Sequence, residues 1–274
     1  MEVVVVTANK GGVGKSTIAL QVATEMARRG LRVLAIDADK QADLTRFSGG
    51  PREEFRGLDL VLSNPPGSLD PRPHLVRVRP NVDLLCSSPG LTDVDAIIEQ
   101  GLDDGPFYLR RALDYVEDEY DWAVIDMGHS DELATNCIVA ADVLLMPTTA
   151  NFPDANHAGD MLQIAAAVRQ QLRLPKMDLL QHSVISVWKR QHNGTADAHV
   201  IRKLRERYGD LLSPVILPHS SRVSEANEQR CTVREYAEQF GTRRDKSLHT
   251  LVDAYANLTD FVLSKAGAHE AVAV

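Results

Sequence analysis

Residues 2–30 join three kinds of sequence in an order that allows few folds. EVVVVTA at 2–8 is a β-branched run of the kind that forms a buried strand. A glycine-rich segment follows, and residues 16–29 then repeat apolar side chains with helical period until Gly30 ends them. A strand that passes through a short glycine loop into a helix is the repeating unit of proteins with parallel sheets. The segment therefore predicts an α/β fold, with this loop at the carboxyl end of a strand.

The rest of the chain alternates strand-like and helix-like runs, as expected for a parallel sheet with helices on both faces. Further strands are predicted at 31–37, 81–87, 121–127, 141–148, 182–188 and 213–218, and further helices at 107–120, 154–172, 195–209 and 247–266. Residues 48–80 carry many Gly and Pro residues and are predicted to form an irregular surface segment. We therefore expect one domain, residues 1–274, with a doubly wound, mostly parallel sheet flanked by helices.

The composition limits the class of protein. Hydrophobic residues make up 44% and charged residues 25% of the 274 residues, as in ordinary globular proteins. The sequence contains no apolar run of about 18 residues, the length of a membrane-spanning helix, and its amino terminus lacks the positive leader of a signal peptide. Cys86, Cys137 and Cys231 are too widely spaced for a metal motif, which favours reduced thiols in a cytoplasmic protein.

The glycine-rich segment NKGGVGKST matches the phosphate-binding pattern G-x-x-x-x-G-K-[ST] at all but its first position. Asn9 stands where the pattern has its first glycine, and a second lysine, Lys10, precedes the glycine pair. In such a loop the backbone N–H groups surround a phosphate, and the positive end of the following helix favours the bound anion. The pattern predicts that Lys15 reaches the β- and γ-phosphates, that Ser16 binds Mg²⁺ and that Thr17 adds a phosphate contact.

Aspartates follow two of the predicted strands. Asp37 and Asp39 come at the end of LRVLAID, and Asp126 lies near the end of DWAVIDM. A carboxylate at a strand end beside a phosphate-binding loop can hold a water molecule that is bound to Mg²⁺. One such aspartate alone is more often a helix cap or a solvated loop residue. Their occurrence together with the glycine loop favours a nucleotide site with Mg²⁺.

Four segments together, KGGVGKST, DADKQADLT, DWAVIDM and AADVLLMP, resemble the ParA/MinD family of ATPases with a deviant Walker A motif. The similarity runs from about residue 2 to residue 240 and includes RVSEANEQRCTVREYA, which is similar to a family segment near the nucleotide base. Among the members, the chain resembles most the small, Soj-like ParA partition ATPases. The resemblance implies a P-loop NTPase fold, ATP and Mg²⁺ as ligands, weak basal ATP hydrolysis, and a homodimer that holds ATP between its subunits.

The resemblance also implies roles for individual residues. Lys10 corresponds to the signature lysine, which reaches across the dimer to the ATP of the partner subunit, and Asp39 to the residue that positions the attacking water. Asp126 corresponds to the aspartate of the Walker B strand, and Asp37 to a supporting carboxylate near Mg²⁺. The implied catalytic residues are Lys10, Lys15 and Asp39, the ATP-binding residues are Lys10, Gly11, Gly12, Val13, Gly14, Lys15, Ser16 and Thr17, and the metal-binding residues are Ser16, Asp37 and Asp126.

The sequence departs from the family pattern in two places. Lys40 stands where the family often has proline in D-x-D-P-Q, and Met127-Gly128-His129-Ser130 stands where it often has a proline pair. These differences concern the geometry of loops near the phosphates rather than the binding of ATP. His129 is not expected to act as a base, because the family mechanism orients water without a histidine.

Charge is unevenly distributed along the chain. The formal net charge is −8, but residues 169–246 contain 15 Lys and Arg and 9 Asp and Glu, so this part carries +6 and the rest −14. A basic surface on an acidic protein can bind DNA through its phosphates, without sequence preference and with strong salt dependence. Predicted DNA-binding residues are Arg202, Lys203, Arg205, Arg222 and Arg230; Arg207, Arg234, Arg243 and Arg244 add to the basic count. Arg222 matches a family position that is linked to DNA binding.

Together these features favour a partition ATPase on the nucleoid in the cytoplasm, which positions a plasmid or a chromosome and is stimulated by a ParB-like protein. Three alternatives stay open: an ATPase that positions a protein cargo, a MinD-like membrane-bound regulator, and a reductase of the nitrogenase-iron-protein type. The C-terminal DFVLSKAGAHEAVAV lacks the basic amphipathic character of a membrane helix, and the cysteines lack the surroundings of an iron–sulfur site. Because the sequence starts at its first strand, no operator-reading domain is expected.

Overall fold

A computed structural model describes residues 1–50, 57–63, 69–128, 131–174, 183–188, 195–242 and 245–266. Its centre is an eight-stranded sheet with the strand order β3-β4-β2-β5-β1-β6-β7-β8. The strands are β1 (Glu2–Val6), β2 (Val33–Ala38), β3 (Leu75–Arg79), β4 (Val82–Leu85), β5 (Trp122–Met127), β6 (Val143–Thr149), β7 (Val184–Trp188) and β8 (Leu212–Leu217). All neighbouring strands are parallel except β3, which runs antiparallel to β4 at one edge.

Helices cover both faces of the sheet, which confirms the predicted doubly wound α/β fold. They are α1 (Lys15–Arg28), α2 (Asp43–Phe47), α3 (Leu58–Leu62), α4 (Val94–Gln100), α5 (Tyr108–Asp114), α6 (Asp131–Ala140), α7 (Phe152–Gln171), α8 (Thr195–Tyr208), α9 (Arg222–Glu228), α10 (Val233–Phe240) and α11 (Lys246–Ala266). Buried residues of α3 to α8 pack on one face, and those of α1, α2 and α9 to α11 pack on the other. We call these the α3–α8 layer and the α1 layer.

The strands are apolar throughout because both of their faces are covered. In β1, Val3 and Val5 point to the α3–α8 layer, whereas Val4 and Val6 point to the α1 layer, and all four are fully buried. A strand with one solvated face would alternate apolar and polar residues instead. The continuous valine run at the amino terminus is thus explained by its central position between β5 and β6.

The prediction of a surface segment at 48–80 is wrong where the structure describes that segment. Leu58, Val61 and Leu62 of α3 are fully buried in the core, and β3 extends the sheet. The glycines and prolines at the ends of this segment hid a short apolar helix, while residues 51–56 and 64–68 lie outside the described part of the chain. The helix predicted at 107–120 ends earlier, at Asp114.

Helix α1 is more deeply placed than a single apolar stripe would suggest. Of its residues, all from Lys15 to Ala27 are buried, since α11 and α2 cover the side that faces away from the sheet. Gly30 has a φ of 87° and donates to the carbonyl of Ala27 at 2.9 Å, as a glycine after a helix end commonly does. The start of α1 is therefore held rigidly at the carboxyl edge of the sheet.

Candidate nucleotide site

The glycine loop connects the end of β1 to the start of α1. Gly12 and Gly14 have φ angles of 76° and 85°, which explains their need for glycine. Asn9 is not among the residues with positive φ, so its place in the pattern does not require glycine. Gly14 is the residue that precedes α1, and no side chain caps this helix end. The first N–H groups of α1 are thus left for a ligand, and the helix dipole favours an anion there.

The two lysines of the loop lie in different surroundings. Lys15 is only 8% exposed, and its charge acts on Asp126 inside the site. Lys10 lies on the outer rim of the loop, where it and its neighbours Asn9 and Gly11 are exposed. Ser16, at 8%, is buried in the same way as Lys15. One lysine is therefore buried beside Asp126, and the other is exposed on the same loop.

Asp37 and Asp126 are brought together by the register of the sheet. Asp37 of β2 pairs with Asp126 of β5, and Asp126 in turn pairs with Val6 of β1, directly before the loop. Both carboxylates are fully buried. Asp37 accepts hydrogen bonds from the backbone N–H groups of Thr45 at 2.7 Å and Asp39 at 3.2 Å, yet burial raises its pKa to about 7.

The buried carboxylate of Asp126 has fewer hydrogen-bond donors to stabilise its charge than that of Asp37. Neither of its carboxylate oxygens meets a well-oriented hydrogen-bond donor among the described residues. Burial and the nearby charge of Asp37 raise the pKa of Asp126 well above its ordinary value, although the Ser16 hydroxyl and the Lys15 charge oppose that rise. A buried carboxylate in this state needs a proton or a cation beside it.

These side chains fit Mg²⁺ held together with a nucleotide. Within the described ranges no group of three or more His, Cys, Asp or Glu side chains is arranged to bind a metal by itself. Mg²⁺ commonly uses one or two protein oxygens and completes its shell with phosphate and water. Ser16, Asp37 and Asp126 supply oxygens of this kind next to the phosphate loop.

Replacing Asp126 with asparagine should stabilise the metal-free protein while impairing ATP hydrolysis. In the folded wild type Asp126 keeps its proton at pH values at which the unfolded chain has already released it, because burial raises its pKa. The stability of the wild type therefore falls as pH rises from about 4 toward the raised pKa of Asp126. The asparagine side chain has no such charge to bury, and we expect a gain of about 1–2 kcal/mol at pH 8 and a smaller one at pH 4.5. Urea unfolding in EDTA at both pH values measures this.

The matched control is Asp253→Asn, because Asp253 is an exposed carboxylate on α11. It should change neither the stability nor its pH dependence. An Asp126→Asn variant that is less stable than wild type at pH 8 would show that Asp126 is not a strained, uncompensated carboxylate.

Asp39 lies half-buried just beyond β2. Its Oδ1 accepts from the N–H of Gln41 at 2.9 Å, and its carbonyl accepts from the Ser87 hydroxyl at 2.7 Å. Gly128, after β5, lies against it: a Cβ at Gly128 would be 2.8 Å from the Asp39 Cα and 2.9 Å from its Cγ. Any other residue at 128 would displace Asp39. The sequence marked Gly128 only as a departure from the family pattern.

A cavity of about 410 Å³ opens beside the outer wall of the loop. It is lined by Gly12, Val13, Gly14, Thr17, Thr149, Trp188, His219, Ser220, Val223 and Ser224. The Trp188 ring lies 3.3–3.4 Å from where a Gly14 Cβ would be, and it packs edge-on against Tyr255. The Trp188 N–H has no partner among the described residues. Sequence reasoning missed Trp188, because it ends an apolar run that resembles core.

The segment after β8 reaches the same cavity. The Asn227 side chain of α9 donates to the Thr17 hydroxyl at 2.9 Å, which ties α9 to the start of α1. The start of the segment 222–237, which resembles a family segment near the nucleotide base, therefore lies beside the glycine loop. If the loop holds the phosphates, this cavity is the space beside it for the nucleoside.

Nucleotide binding should change the fluorescence of Trp188. The chain has two tryptophans. Trp122 is buried at the start of β5, at the end of the strands that lies away from the glycine loop. A base in the cavity would remove water from the Trp188 indole, so we expect Trp122→Phe to keep the ATP-induced change and Trp188→Phe to lose it. Trp188→Ala should weaken ATP binding about tenfold, as loss of aromatic contact with a base does. A full change in Trp188→Phe would place the base elsewhere.

Comparison with known proteins agrees with this geometry. A family model described as an AAA domain matches residues 1–176. The chromosome-partitioning ATPase Soj of Thermus thermophilus is 30% identical over 229 residues, which are 83% of this chain and 85% of Soj. The chromosome partitioning protein ParA of Caulobacter vibrioides is 28% identical, over 82% of this chain and 84% of ParA. The chain belongs to the ParA/MinD family of ATPases.

As a member of the ParA/MinD family, the protein is an ATPase that uses ATP and Mg²⁺. The fold is shared with a solved ATP complex of McdA from Cyanothece, with a TM-score of 0.76, 20% identity, and coverage of 96% of both chains. The likeness to that structure shows the common fold.

The predicted DNA-binding residues of this ParA/MinD family member are divided between helices of the two layers. Arg202, Lys203 and Arg205 are exposed on α8, whose buried residues pack in the α3–α8 layer. Arg222 and Arg230 lie on and just after α9, whose Ala226 packs in the α1 layer. Arg243 and Arg244 lie outside the described residues, as do His129 and Ser130.

The arginines also differ in their partners. Arg222 makes ion pairs with Glu225 at 2.7 Å and Asp245 at 3.6 Å. Arg202 lies 3.9 Å from Glu206, with both side chains about two-thirds exposed, so this pair is weak. Phosphates would have to compete with two acids for Arg222, whereas Arg202 has that weak pair and a contact with the His199 ring at 3.0 Å.

Proposed function

We propose that this protein is a ParA-type partition ATPase. In this proposal, ATP binding drives dimerisation, the dimer binds DNA without sequence preference, and hydrolysis resets the cycle so that a plasmid or chromosome is segregated or positioned. The observation that carries it is the contrast between the buried Lys15 and the exposed Lys10 on one loop. A loop that only hydrolysed its own nucleotide would need Lys15 alone.

Within one subunit, the loop and α1 hold the nucleotide. The N–H groups from Gly11 to Lys15 surround the phosphates, Lys15 neutralises the β- and γ-phosphates, and Thr17 adds a contact. Ser16, Asp37 and Asp126 hold Mg²⁺, which supplies charge stabilisation at the phosphates. The unpartnered oxygens of Asp126 support this assignment.

Asp39 orients the attacking water. It stands at the end of β2, two residues after Asp37, and its backbone is fixed by Ser87 and by the contact with Gly128. Phosphoryl transfer depends chiefly on positioning and charge, so a fixed carboxylate that orders one water is sufficient for this role. Asp39 is half-buried, which leaves its side chain accessible to a ligand.

Lys10 acts on the ATP of the partner subunit. Members of the family dimerise with ATP, and in such a dimer the exposed rim of the loop is the part that meets its copy. At Gly11 a Cβ would meet nothing within 4 Å in the described part of the subunit. The subunit itself therefore does not demand glycine there, which supports a close approach by a second loop.

The DNA surface is completed by dimerisation. Each subunit offers the basic residues of α8 on one layer and Arg222 and Arg230 on the other, too few phosphate contacts for tight binding. Two subunits double the charge that one DNA segment meets, so affinity should depend on the dimer and hence on ATP. A ParB-like partner that stimulates hydrolysis would separate the two subunits and release the DNA. DNA binding would place the protein on the nucleoid.

The experiment is a DNA-binding titration with ATP, ADP and no nucleotide over a salt series. We expect tight binding only with ATP. The double variant Arg202→Glu/Arg205→Glu should bind about 100-fold more weakly and reduce the slope of log K against log salt by about two for each engaged subunit.

Arg110→Glu is the control, because Arg110 is a half-exposed arginine on α5, far along the sheet from α8. It should bind as wild type does. Equal affinity in all nucleotide states, or no effect of the α8 double variant, would contradict the DNA-binding part of the proposal and leave a ParA-like ATPase with a protein cargo.

Among the helices that the structure describes, none combines the length and the apolar character of a membrane-spanning segment.

A further inference from the structure

A single carboxylate on α4 connects two segments that flank the proposed hydrolytic site. Asp95 accepts a hydrogen bond from the Lys40 amino group at 2.8 Å through one oxygen. Its other oxygen accepts from the backbone N–H of Leu133 at 3.0 Å, in the first turn of α6. We call the Lys40–Asp95–Leu133 chain of contacts the α4 latch.

Both connected segments adjoin Asp39. Lys40 follows Asp39 directly, and α6 follows the end of β5, where Gly128 lies against Asp39. The N–H of Gly128 also donates to the carbonyl of Ala38 at 3.1 Å. Asp39 is therefore bounded on one side by Gly128 and tethered on the other through Lys40.

The loop after β2 needs such a tether for a physical reason. Proline, which the family often has at this position, would fix the backbone φ of residue 40, whereas lysine leaves it free. Two residues later, Ala42 has a φ of 55°, a conformation that costs free energy for a residue with a side chain. A loop with this strain and no proline keeps its shape only if other contacts hold it.

The latch is partly protected from water. The Lys40 side chain is 33% exposed and the Asp95 side chain 27%, so both are partly buried. The charge-assisted hydrogen bond is short and direct, and the carboxylate is fixed at its other oxygen by α6, so little freedom is lost when the pair forms.

We propose that Asp95 is a positioning residue for ATP hydrolysis: through Lys40 it holds Asp39 where the attacking water is ordered, and it joins that loop to α6. The inference rests on the proposed role of Asp39. The Lys40–Asp95 ion pair then supplies the rigidity that a proline at position 40 would give.

Three substitutions separate the two halves of the latch. Lys40→Met removes the ion pair only. Asp95→Asn also removes it but retains an oxygen for the Leu133 N–H, and Asp95→Ala removes both contacts. Lys40→Arg keeps a cation and should restore the wild-type rate.

The measurement is steady-state phosphate release at saturating ATP, together with the Kd for ATP and the melting temperature. We expect kcat to fall about fivefold in Lys40→Met and in Asp95→Asn, the effect of losing one partly exposed ion pair. The double variant Lys40→Met/Asp95→Asn should be no slower than either single variant, because both changes remove the same ion pair. Asp95→Ala should be slower than Asp95→Asn, because it also loses the contact with the Leu133 N–H. The Kd for ATP should not change.

Two results would overturn the inference: wild-type kcat in Lys40→Met, or equal losses of kcat and ATP affinity that follow the melting temperature. Asp39→Ala, measured alongside, separates this inference from the proposed function. If Asp39→Ala hydrolyses ATP normally, the role of Asp39 is wrong; if it is inactive while Lys40→Met and Asp95→Asn are unaffected, only the latch is wrong.

Discussion

Replacing Asp39 with alanine should lower the kcat of ATP hydrolysis about 100-fold and leave ATP binding intact, since misplacing a reacting group costs about this much. The residue lies just beyond the end of β2, and its side chain is not among those proposed to hold the phosphates or Mg²⁺, so these keep their ligands. The variant should therefore accumulate as an ATP-bound dimer. Single-turnover hydrolysis and sedimentation with ATP measure the two properties separately.

Asp43→Ala is the control, because Asp43, the first residue of α2 and four positions after Asp39, is an acid that pairs with Arg46 on the surface. It should hydrolyse ATP at a rate near that of wild type. If Asp39→Ala lost ATP binding together with hydrolysis, Asp39 would belong to the binding site and not to the positioning of water.

Lys10→Ala should strongly weaken ATP-dependent dimerisation while one subunit still binds ATP. Lys10 lies on the exposed rim of the loop, and Lys15 alone remains buried at the subunit's own phosphates. Removing one partner of a buried charge pair across an interface commonly costs about 2–5 kcal/mol, so the loss of Lys10 should weaken the dimer by about 30-fold or more. Light scattering of the Lys10→Ala/Asp39→Ala double variant against Asp39→Ala measures this without interference from hydrolysis.

Lys15→Ala provides the contrast, because it should lose ATP binding itself. A Lys10→Ala variant that dimerised with ATP as well as wild type would restrict Lys10 to its own subunit or to no role at all.

Much of the fold follows from the sequence because both faces of the sheet are buried. Apolar runs such as EVVVV and DWAVIDM have few alternatives to central parallel strands. The positions of Asp37 and Asp126 at the ends of neighbouring strands then follow from the topology. The antiparallel β3 and the buried α3 were not predictable in this way, since glycine and proline flank a short apolar segment.

The finer parts of the site depend on contacts between distant segments. The Trp188 ring packs against Gly14 of the glycine loop. Asp95 contacts Lys40, 55 positions away in the chain, and Leu133, 38 positions away. No local pattern records such contacts. The only signals were the two departures from the family pattern, Lys40 and Gly128, and both lie at Asp39.

The basic third of the chain shows a different limit. Counting charges indicated one DNA surface, but the fold divides these residues between two layers and pairs Arg222 with two acids. Composition reports how many charges a segment carries, whereas tertiary structure decides which of them face the same ligand.

The central claim, that Lys10 serves the ATP of the partner subunit, is tested most directly by mixing two inactive variants. Lys10→Ala retains its own ATP site, and Lys15→Ala retains Lys10 but lacks ATP binding. In a mixed dimer, Lys10 of the second subunit can complete the ATP site of the first. An equal mixture should then hydrolyse ATP at up to about half of the wild-type rate, because neither variant forms ATP dimers with itself and each mixed dimer has one complete site of two. A mixture as inactive as its two components would contradict the claim.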